Sequence, residues 1–381
     1  MFEISPSFCI LPFLHHHVNP QGHMTPCCIN SEVMGDVSRD SMENIFHGEG
    51  FRRLRETLLK GEVPESCLVC KNLEEQNVTS MRQGANLKFI KDAISMSLLA
   101  DPSGKLPYYK PKSLDIRFSN LCNLKCRSCG PGYSSAWAKE EFSQSLVTVP
   151  SHLLQEVLNI IPLAEEVYLA GGEPLMMREN LTLLNEIKKN RPQSRVVYNT
   201  NLTSLNYFGV DYLELWKDID DLLVVVSMDD VGAKGEYLRS GKNFQVFLEN
   251  AKRLRETKKE MWFNTVVSAI NIFSLEEIHE FFEREFPGVK TEYTLLTTPQ
   301  HLRISVLPEE IRGELRQSLS SLKEKTKSED LQACLNLALN ELQEDRTGDL
   351  QTLINYIRLL DARRGESFTK VYPSHPLKSY F

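Results

Sequence analysis

Three closely spaced cysteines follow the first clear strand pattern of the chain. They form the segment Cys122-Asn-Leu-Lys-Cys126-Arg-Ser-Cys129, directly after the apolar residues 114–119. Loops at the carboxyl ends of strands are where α/β folds bind ligands. Thiolates hold iron–sulfur clusters, and three thiolates on a four-iron cubane leave one iron open, as a catalytic zinc site keeps one open position. A structural zinc site is the alternative, but these cysteines lack a fourth ligand nearby, so the spacing favours iron and sulfur.

Five more cysteines lie in the first 70 residues. Cys9 and Cys27 enclose a glycine in the pattern C-x12-G-x4-C, and Cys67-Leu-Val-Cys70 adds a C-x2-C pair. Four thiolates complete a [4Fe–4S] cluster with no open iron, and four cysteines with one C-x2-C pair also describe a zinc ribbon. Cys28 is either a further ligand or a small buried residue. His15-His16-His17 is a weaker candidate for a metal site, because three consecutive side chains do not easily face one ion.

The composition is that of a globular protein. The chain has 381 residues, 41% of them hydrophobic, and a formal net charge of -7. No segment approaches the roughly 18–20 uninterrupted apolar residues of a membrane span, and the first residues lack the order of a signal peptide. We therefore expect a cytoplasmic protein that contacts no membrane. The negative charge argues against a broad nucleic-acid surface, which needs lysine and arginine to neutralise phosphates. Grouped thiols in a cytosolic chain indicate metal ligands rather than disulfides.

Short apolar segments alternate with amphipathic segments in the middle of the chain. Six strands in about 184 residues correspond to about 31 residues per unit, which is the size of a βα unit. Such alternation predicts a parallel sheet with helices outside it, either an open doubly wound sheet or an incomplete barrel. The predicted strands are residues 114–119, 166–170, 195–200, 222–228, 261–268 and 291–297, and the predicted helices between them are residues 151–161, 179–190, 244–257 and 275–285.

Changes in composition divide the chain into four regions. The N-terminal region is irregular, with one predicted helix at residues 41–60. The next region is a predicted helix near residues 81–99, followed by a linker punctuated with Pro and Gly. The C-terminal extension has predicted helices at residues 309–325, 330–341 and 350–363, and an extended tail over its last dozen residues. The four regions are residues 1–80, 81–112, 113–307 and 308–381.

Glycine and polar residues stand where predicted strands end. Gly171-Gly172-Glu173-Pro174 follows the second strand, Asn199-Thr200-Asn201 ends the third and Ser227-Met228-Asp229-Asp230 ends the fourth. Each residue could be an ordinary turn or strand cap. Paired glycines permit a close backbone approach, and this pair lies about 50 residues after the cysteines at a strand end. That position favours a functional role for the glycines.

A C-x3-C-x2-C motif after a first strand is the signature of the radical S-adenosylmethionine (SAM) superfamily, which this region resembles. The resemblance implies a partial (β/α)6 barrel of α/β class and a [4Fe–4S] cluster on Cys122, Cys126 and Cys129. The open iron of that cluster would take the amino and carboxylate groups of SAM. An electron from the cluster would then cleave SAM and release a 5′-deoxyadenosyl radical.

The resemblance also assigns SAM contacts to the strand ends. The glycine motif is similar to one that hydrogen-bonds the SAM amino group, and the third and fourth strand ends match positions that contact the SAM ribose and carboxylate. Tyr237-Leu-Arg239-Ser-Gly241 resembles an Arg-x-Gly element whose arginine can pair with the SAM carboxylate. The candidate SAM-binding residues are Gly171, Gly172, Glu173, Asn201, Ser227, Asp229 and Arg239.

Ser128 departs from the family pattern. The residue before the third cysteine is commonly bulky or aromatic in the superfamily and packs on the adenine of SAM. With serine at this position, we expect the adenine contacts to come from the fifth and sixth strands, around residues 266–268 and 295–296.

The N-terminal cysteines resemble the auxiliary-cluster domains called SPASM and twitch. The match is carried by Phe8-Cys9-Ile-Leu-Pro12, Pro26-Cys27-Cys28 and Pro64-Glu-Ser-Cys67, with Glu74 and Arg82 after them. Such a domain normally follows the barrel; here it precedes it, as in a radical SAM subfamily with an N-terminal twitch domain. The resemblance implies an auxiliary [4Fe–4S] cluster held by Cys9, Cys27, Cys67 and Cys70.

The expected activity is abstraction of a hydrogen atom from a substrate carbon, with the oxidoreductase, lyase or isomerase outcome left open. The auxiliary cluster would relay an electron or help to hold the substrate. We expect a ribosomal peptide as substrate, with a small sugar or nucleotide metabolite as the alternative, and an electron donor such as flavodoxin or ferredoxin. A non-catalytic iron–sulfur or SAM-binding sensor is a different hypothesis, which a test for SAM cleavage by the reduced protein would discriminate.

Overall fold

The computed structural model describes residues 5–142 and 146–381. Its strands are β1 (His15–Val18), β2 (His23–Thr25), β3 (Gly35–Asp36), β4 (Ser113–Ile116), β5 (Lys125–Cys126), β6 (Glu166–Leu169), β7 (Arg195–Thr200), β8 (Asn206–Tyr207), β9 (Val210–Asp211), β10 (Leu222–Ser227), β11 (Arg239–Ser240), β12 (Glu260–Val267) and β13 (Lys290–Leu295). Its helices are α1 (Leu11–Leu14), α2 (Met42–His47), α3 (Glu49–Leu59), α4 (Leu68–Glu75), α5 (Met81–Lys88), α6 (Ile90–Leu99), α7 (Ser135–Phe142), α8 (His152–Ile160), α9 (Arg178–Asn190), α10 (Tyr212–Lys217), α11 (Gly232–Leu238), α12 (Phe244–Glu256), α13 (Leu275–Glu285), α14 (Glu309–Lys325), α15 (Glu329–Glu341), α16 (Leu350–Arg364) and α17 (Phe368–Val371).

The chain divides into two units. The first unit contains Met1–Asn123, Pro131–Thr200 and Leu205–Leu223, and the second contains Leu124–Gly130, Asn201–Ser204 and Val224–Phe381. The predicted region boundaries at residues 80, 112 and 307 stay predictions.

The six predicted strands are all present, as β4, β6, β7, β10, β12 and β13, with ends within three residues of the prediction. The predicted helices between them are α8, α9, α12 and α13. Strands β4 and β6, β6 and β7, and β12 and β13 pair in parallel. The α/β class with a mostly parallel sheet is therefore confirmed, because apolar strands alternate with amphipathic helices.

In the first unit the sheet runs in the order β7-β6-β4-β1-β2-β3. Strand β1 pairs in parallel with β4, and His17 lies opposite Asp115. The β1–β2 and β2–β3 pairs are antiparallel. The N-terminal region was predicted to be irregular apart from one helix. That prediction is wrong, since this region adds three strands beside β4.

The three consecutive histidines form strand β1 and are buried. Successive side chains of a strand point to opposite faces, and each ring has a hydrogen-bond partner. His15 Nδ1 lies 2.8 Å from Ser113 Oγ, His16 Nε2 lies 2.9 Å from Tyr109 OH, and His17 Nδ1 lies 2.7 Å from Thr25 Oγ1. Burial lowers the pKa of His15 and of His17 to about 4, so both rings are neutral at pH 7. The three histidine rings are therefore buried, hydrogen-bonded side chains that stabilise strand β1.

Two long predicted helices are divided. Residues 41–60 form α2 and α3, separated by Gly48 with an extended ψ of 170°. A Cβ on Gly48 would lie 3.0 Å from the backbone oxygen of Ile45, so glycine suits this tight junction. Residues 81–99 form α5 and α6, which are separated by Phe89.

The second unit contains β12 and β13 with β10 as the next strand in order. Beyond β13, helices α14, α15 and α16 match the predicted helices of the C-terminal extension within one residue.

The predicted extended tail is wrong: α17 and a 3-10 turn over Pro376–Tyr380 occupy it. The tail aromatics Phe368 and Tyr372 are buried and stack with their ring centroids 5.5 Å apart. Burial of apolar rings outweighs the proline-rich sequence here.

Across residues 5–142 and 146–381, the structure contains no helix with the length and apolar character needed to cross a bilayer.

Candidate functional site

The four N-terminal cysteines predicted to act together line one cavity of the first unit, with a volume of about 460 Å³. They come from three chain segments: Cys9 precedes α1, and Cys27 follows β2. Cys67 lies directly before α4, and Cys70 lies in the first turn of α4. The thiols are close enough for Cys67 and Cys70 to raise the pKa of Cys9, after the larger effect of burial, which takes that pKa to about 12. The fold thus brings together sulfur donors that are up to 61 residues apart in sequence.

An ion pair holds the segments around this cavity. Arg82 donates from Nε to Glu74 Oε1 over 3.0 Å, which joins α5 to α4. The same guanidinium donates from Nη1 to the backbone oxygen of Phe8 over 2.9 Å. Asn86 Nδ2 also donates to that oxygen over 2.7 Å and accepts from the Ile10 amide over 2.8 Å. The backbone on both sides of Cys9 is therefore held by hydrogen bonds. Glu74 and Arg82, which are part of the sequence match to SPASM and twitch domains, form the ion pair that contributes to this.

The side chains of the cavity have the donor chemistry of an iron–sulfur site. Four thiols face a mostly apolar lining, and Asn30 Nδ2 donates to Cys67 Sγ over 3.6 Å. Hydrogen bonds to sulfur ligands are a normal feature of cluster sites. Within residues 5–142 and 146–381, no group of three or more His, Cys, Asp or Glu side chains is arranged to hold a metal ion.

Cys28 lies outside this arrangement. The described lining of the cavity includes Cys27 but leaves out Cys28, and Cys28 is an exposed residue. Partial burial of the thiol raises the pKa of Cys28 to about 11, with Asp115 raising it further and Arg117 lowering it. The interpretation of Cys28 as a small buried residue is thus wrong. Its thiol faces the charges at the end of β4.

Cys122, the first cysteine of the central motif, belongs to the first unit. Its amide donates to Ser135 Oγ over 3.1 Å, and the Ser135 amide donates to the backbone oxygen of Asn120 over 2.7 Å. These bonds tie the loop after β4 to the start of α7.

The glycine motif packs directly on this loop. A Cβ on Gly172 would lie 2.2 Å from the backbone oxygen of Leu121, and Gly171 has a φ of +129°. Both positions therefore need glycine. The Glu173 amide donates to the backbone oxygen of Leu121 over 2.7 Å. The structure brings the glycine motif and Cys122 together, as predicted from their strand ends.

Glu173 is 1% exposed. Its Oε1 accepts hydrogen bonds from Thr200 Oγ1 over 2.6 Å and from the Leu175 amide over 3.2 Å. These donors hold one carboxylate oxygen in place behind the glycine pair, which gives the side chain a fixed direction.

Cys126 and Cys129 lie in the second unit beside a group of charges. Strand β5 pairs with β11, which sets Cys126 opposite Arg239. Arg239 approaches Cys126 Sγ with its Nη1 at 3.8 Å. Burial is the largest effect and raises the pKa of Cys126, and the charge of Asp229 also raises it. The charges of Arg239 and Lys242 lower the same pKa. Burial also raises the pKa of Cys129 to about 11. A thiolate is the metal ligand, and neighbouring cations favour the thiolate form.

Arg239 is paired with Asp229 through two contacts, Nε to Oδ2 at 2.8 Å and Nη2 to Oδ1 at 3.1 Å. Asp229 also accepts from the Val266 amide over 3.0 Å. The two predicted SAM-binding residues are therefore each other's counter-ions.

Lys242 was missed by sequence reasoning. It is 6% exposed, and its Nζ lies 3.4 Å from the backbone oxygen of Ser227. Burial and the charge of Arg239 hold the pKa of Lys242 well below its usual range. The signal available in the sequence was its place one residue after the Arg-x-Gly element.

Asn201 caps its own turn in the second unit. Its Oδ1 accepts from the Thr203 amide over 3.0 Å and from Thr203 Oγ1 over 2.7 Å. These contacts match the ordinary role of a turn residue, so a SAM contact by Asn201 stays a prediction.

A small cavity of the second unit lies beside Ser128. Val266, Ser268, Ile270 and Leu302 line it with Ser128. Residues 266 and 268 belong to the predicted adenine-binding segment of the fifth strand, whereas the described lining leaves out residues 295–296. The serine thus leaves space at the position where the family commonly has a large side chain.

Comparison with known proteins gives matches in both cysteine regions. Residues 116–283 match the radical SAM superfamily, and residues 9–71 match SPASM, an iron–sulfur cluster-binding domain. The sporulation killing factor maturation protein SkfB of Bacillus subtilis (strain 168) is 23% identical over 221 residues, which cover 55% of this chain and 49% of SkfB. A GTP 3′,8-cyclase of Paenarthrobacter nicotinovorans is 26% identical over 106 residues, covering 26% of this chain and 28% of the cyclase. The chain spans about half or less of the curated relatives it matches.

Solved structures superpose on parts of the chain. Streptococcus suis SuiB bound to S-adenosylmethionine superposes with a TM-score of 0.44 at 15% identity, covering 72% of this chain and 64% of SuiB. The protein anSMEcpe with bound AdoMet gives a TM-score of 0.43 at 16% identity, covering 56% of this chain and 60% of that one. Residues 116–283 therefore form a region similar to the radical SAM superfamily, and residues 9–71, ahead of it, form a region similar to the iron–sulfur cluster-binding SPASM domain.

Proposed function

We propose that the protein cleaves SAM reductively and uses the resulting 5′-deoxyadenosyl radical to take a hydrogen atom from a carbon of a ribosomal peptide. The observation that carries the proposal is the packing of Gly172 against Leu121, which sets the glycine motif beside the first cysteine of the C-x3-C-x2-C loop. A motif that approaches SAM and a loop that holds the cluster must be neighbours for this chemistry.

The cluster on Cys122, Cys126 and Cys129 would supply the electron for SAM cleavage. The chain's own residues bind and orient SAM. Glu173, held by Thr200 and Leu175, would accept a hydrogen bond from the SAM ammonium, and the two glycines would let the backbone come close to SAM. Asp229, Ser227 and Asn201 would supply the contacts to the ribose and carboxylate of SAM. Arg239 donates toward Cys126 and balances the negative charge of the thiolates.

The N-terminal cavity has a separate role in this proposal. Cys9, Cys27, Cys67 and Cys70 would hold an auxiliary cluster with every iron ligated by protein, so that site offers SAM no open iron. That cluster would relay an electron from the substrate or help to hold the substrate. A small electron carrier such as flavodoxin or ferredoxin would reduce the protein.

A peptide substrate is supported by the relative SkfB, whose name describes maturation of the sporulation killing factor. The matches to GTP 3′,8-cyclases support the second candidate, a nucleotide substrate, over a shorter part of the chain. The longer alignment favours the peptide.

The first test is SAM cleavage. Anaerobically reconstituted protein with a strong reductant should release 5′-deoxyadenosine and methionine without substrate, and Cys126→Ala should release neither. S-adenosylhomocysteine as the only product would contradict the proposal, because it indicates methyl transfer.

The second test concerns the substrate. Short peptides encoded next to the gene for this protein should change in mass, with a matching release of 5′-deoxyadenosine. The matched sample contains GTP in place of peptide. Product from GTP with unmodified peptides would favour the nucleotide candidate.

A further inference from the structure

Arg127 stands between the second and third cysteines of the cluster loop and is 0% exposed. Its guanidinium carbon lies 3.6 Å from the centre of the Tyr237 ring. Nε donates to the backbone oxygen of Tyr237 over 3.1 Å, and Nη2 donates to Asp361 Oδ1 over 2.7 Å and to Glu366 Oε2 over 2.6 Å. Among the residues that the structure describes, Nη1 has no hydrogen-bond partner, but the bonds of Nε and Nη2 to three acceptors hold the buried side chain, and with it the backbone of Arg127, in place.

The main chain of the loop is also bound by the C-terminal segment. Tyr356 donates its hydroxyl to the backbone oxygen of Arg127 over 2.6 Å, and Arg364 Nη1 donates to the backbone oxygen of Lys125 over 2.9 Å. Both residues lie on α16. The Arg127 amide donates to the backbone oxygen of Leu238 over 2.7 Å. Backbone atoms on both sides of Cys126 are thereby anchored.

The two carboxylates that accept hydrogen bonds from Arg127, those of Asp361 and Glu366, also accept hydrogen bonds from other residues. Asp361 Oδ1 accepts from the Tyr237 hydroxyl over 2.8 Å, and Asp361 Oδ2 accepts from the Phe368 amide over 2.6 Å. Glu366 accepts from the hydroxyl of Ser240, a residue of β11, the partner strand of β5. The network therefore closes on the same two short strands that hold Cys126 opposite Arg239.

We propose that Arg127 is a positioning residue for the SAM-binding cluster, and that residues 350–368 hold the backbone of the cluster loop in place. This inference rests on the proposed function. It assigns the C-terminal extension the task of fixing the backbone of Cys126 and Cys129, so that their sulfurs stay where the cluster needs them. The N-terminal cysteine cavity does not depend on this network.

The experiment compares Arg127→Met with wild type and with Arg312→Met. Arg312 is similarly buried, at 4% exposure, and pairs with Glu309 at 2.9 Å, but it lies outside the loop network. After anaerobic reconstitution, wild type and Arg312→Met should each hold about eight irons from two cubanes. Arg127→Met should retain about four, and SAM should no longer change the electron paramagnetic resonance signal of the reduced protein.

A milder variant covers the case in which Arg127→Met fails to fold. Tyr356→Phe removes one hydroxyl and its hydrogen bond to the Arg127 backbone. Loss of one hydrogen bond should weaken SAM binding about threefold to tenfold and leave melting near the wild-type temperature. Tyr380→Phe, an exposed tyrosine of the same region, is the control and should bind SAM as wild type does.

Eight irons and an unchanged SAM response in folded Arg127→Met, or unchanged SAM affinity in Tyr356→Phe, would overturn the positioning role. A wild-type protein whose signal does not respond to SAM would instead reject the proposed function. The two failures are thus distinguishable.

Discussion

The two cysteine sites differ in what surrounds their thiols. In the N-terminal cavity, burial dominates and takes the pKa of Cys9 to about 12. Around Cys126, burial also raises the pKa, but Arg239 and Lys242 oppose it. An apolar surrounding suits a fully ligated cluster that exchanges electrons, while a charged surrounding suits a site that receives a charged ligand such as SAM. Burial is the largest effect at both thiols, and Arg82 also lowers the pKa of Cys9; under the proposed function, the additional charges at Cys126 match the separate task of binding SAM.

Removing each cysteine set should have the largest effect. Replacing Cys122, Cys126 and Cys129 by Ala should leave about four irons and abolish release of 5′-deoxyadenosine. Cys67→Ala should also lose about four irons, yet keep SAM cleavage without substrate while losing product formation. Iron analysis and chromatography of the nucleoside measure both.

Folding must be compared first, because metal binding can supply much of the stability of a small cysteine-rich region. Circular dichroism and soluble yield provide that control. Well-folded Cys67→Ala that modifies its substrate at the wild-type rate would show that the N-terminal site has no part in turnover.

Breaking the charge pair beside Cys126 should have the next largest effect. Asp229→Ala leaves the buried Arg239 without its counter-ion, and loss of one partner of a buried pair costs about 3–5 kcal/mol. The free energy of unfolding of the metal-free protein, from denaturant titration, measures this cost. Asp221→Ala is the control, because its pair with Arg195 is partly exposed and should contribute about 0–1 kcal/mol. Equal values for the two variants would show that the pair of Arg239 and Asp229 stabilises the fold no more than a partly exposed ion pair does.

Gly172→Ala should act on the SAM site alone. The added Cβ meets the Leu121 oxygen at 2.2 Å, so the backbone next to Cys122 has to move. We expect at least a tenfold loss of SAM cleavage with the N-terminal cluster still loaded. Gly348→Ala is the control, since its Cβ would meet nothing within 4 Å. Wild-type cleavage by Gly172→Ala would argue that the glycine motif does not approach SAM.

The smallest effect is expected at Cys28. Cys28→Ser should keep about eight irons, whereas Cys27→Ser should lose about four, because Cys27 lines the cavity and the described lining leaves out its neighbour. Iron content per chain measures the difference. Equal losses in the two variants would mean that Cys28 ligates the auxiliary cluster.

Much of the candidate site could be predicted from the sequence, because its signals are local. The spacing of Cys122, Cys126 and Cys129 and the Gly171-Gly172 pair are short motifs at strand ends. The parallel strands of an α/β sheet present their carboxyl ends on one edge. Both the cysteine loop and the glycine motif could therefore be assigned to that edge before their contact was known.

The histidines of β1 show where such local signals end. Three consecutive polar residues indicated no strand, yet β1 pairs in parallel with β4, and His15 bonds to Ser113, 98 residues later in the chain. Pairing between distant segments depends on burial and on partners that periodicity does not identify.

The sequence by itself determined the α/β class, the positions of the six predicted strands along the chain, the two cysteine sets and the residues that accompany them. Only the tertiary structure decided that the described lining of the N-terminal cavity includes Cys27 but not Cys28, and that Arg239 pairs with Asp229. It also decided that Arg127 binds Asp361, 234 residues away. The physical reason is range: spacing and periodicity express the local geometry of strands, helices and loops, whereas the partner of a buried charge is set by which distant segments the folded chain packs together.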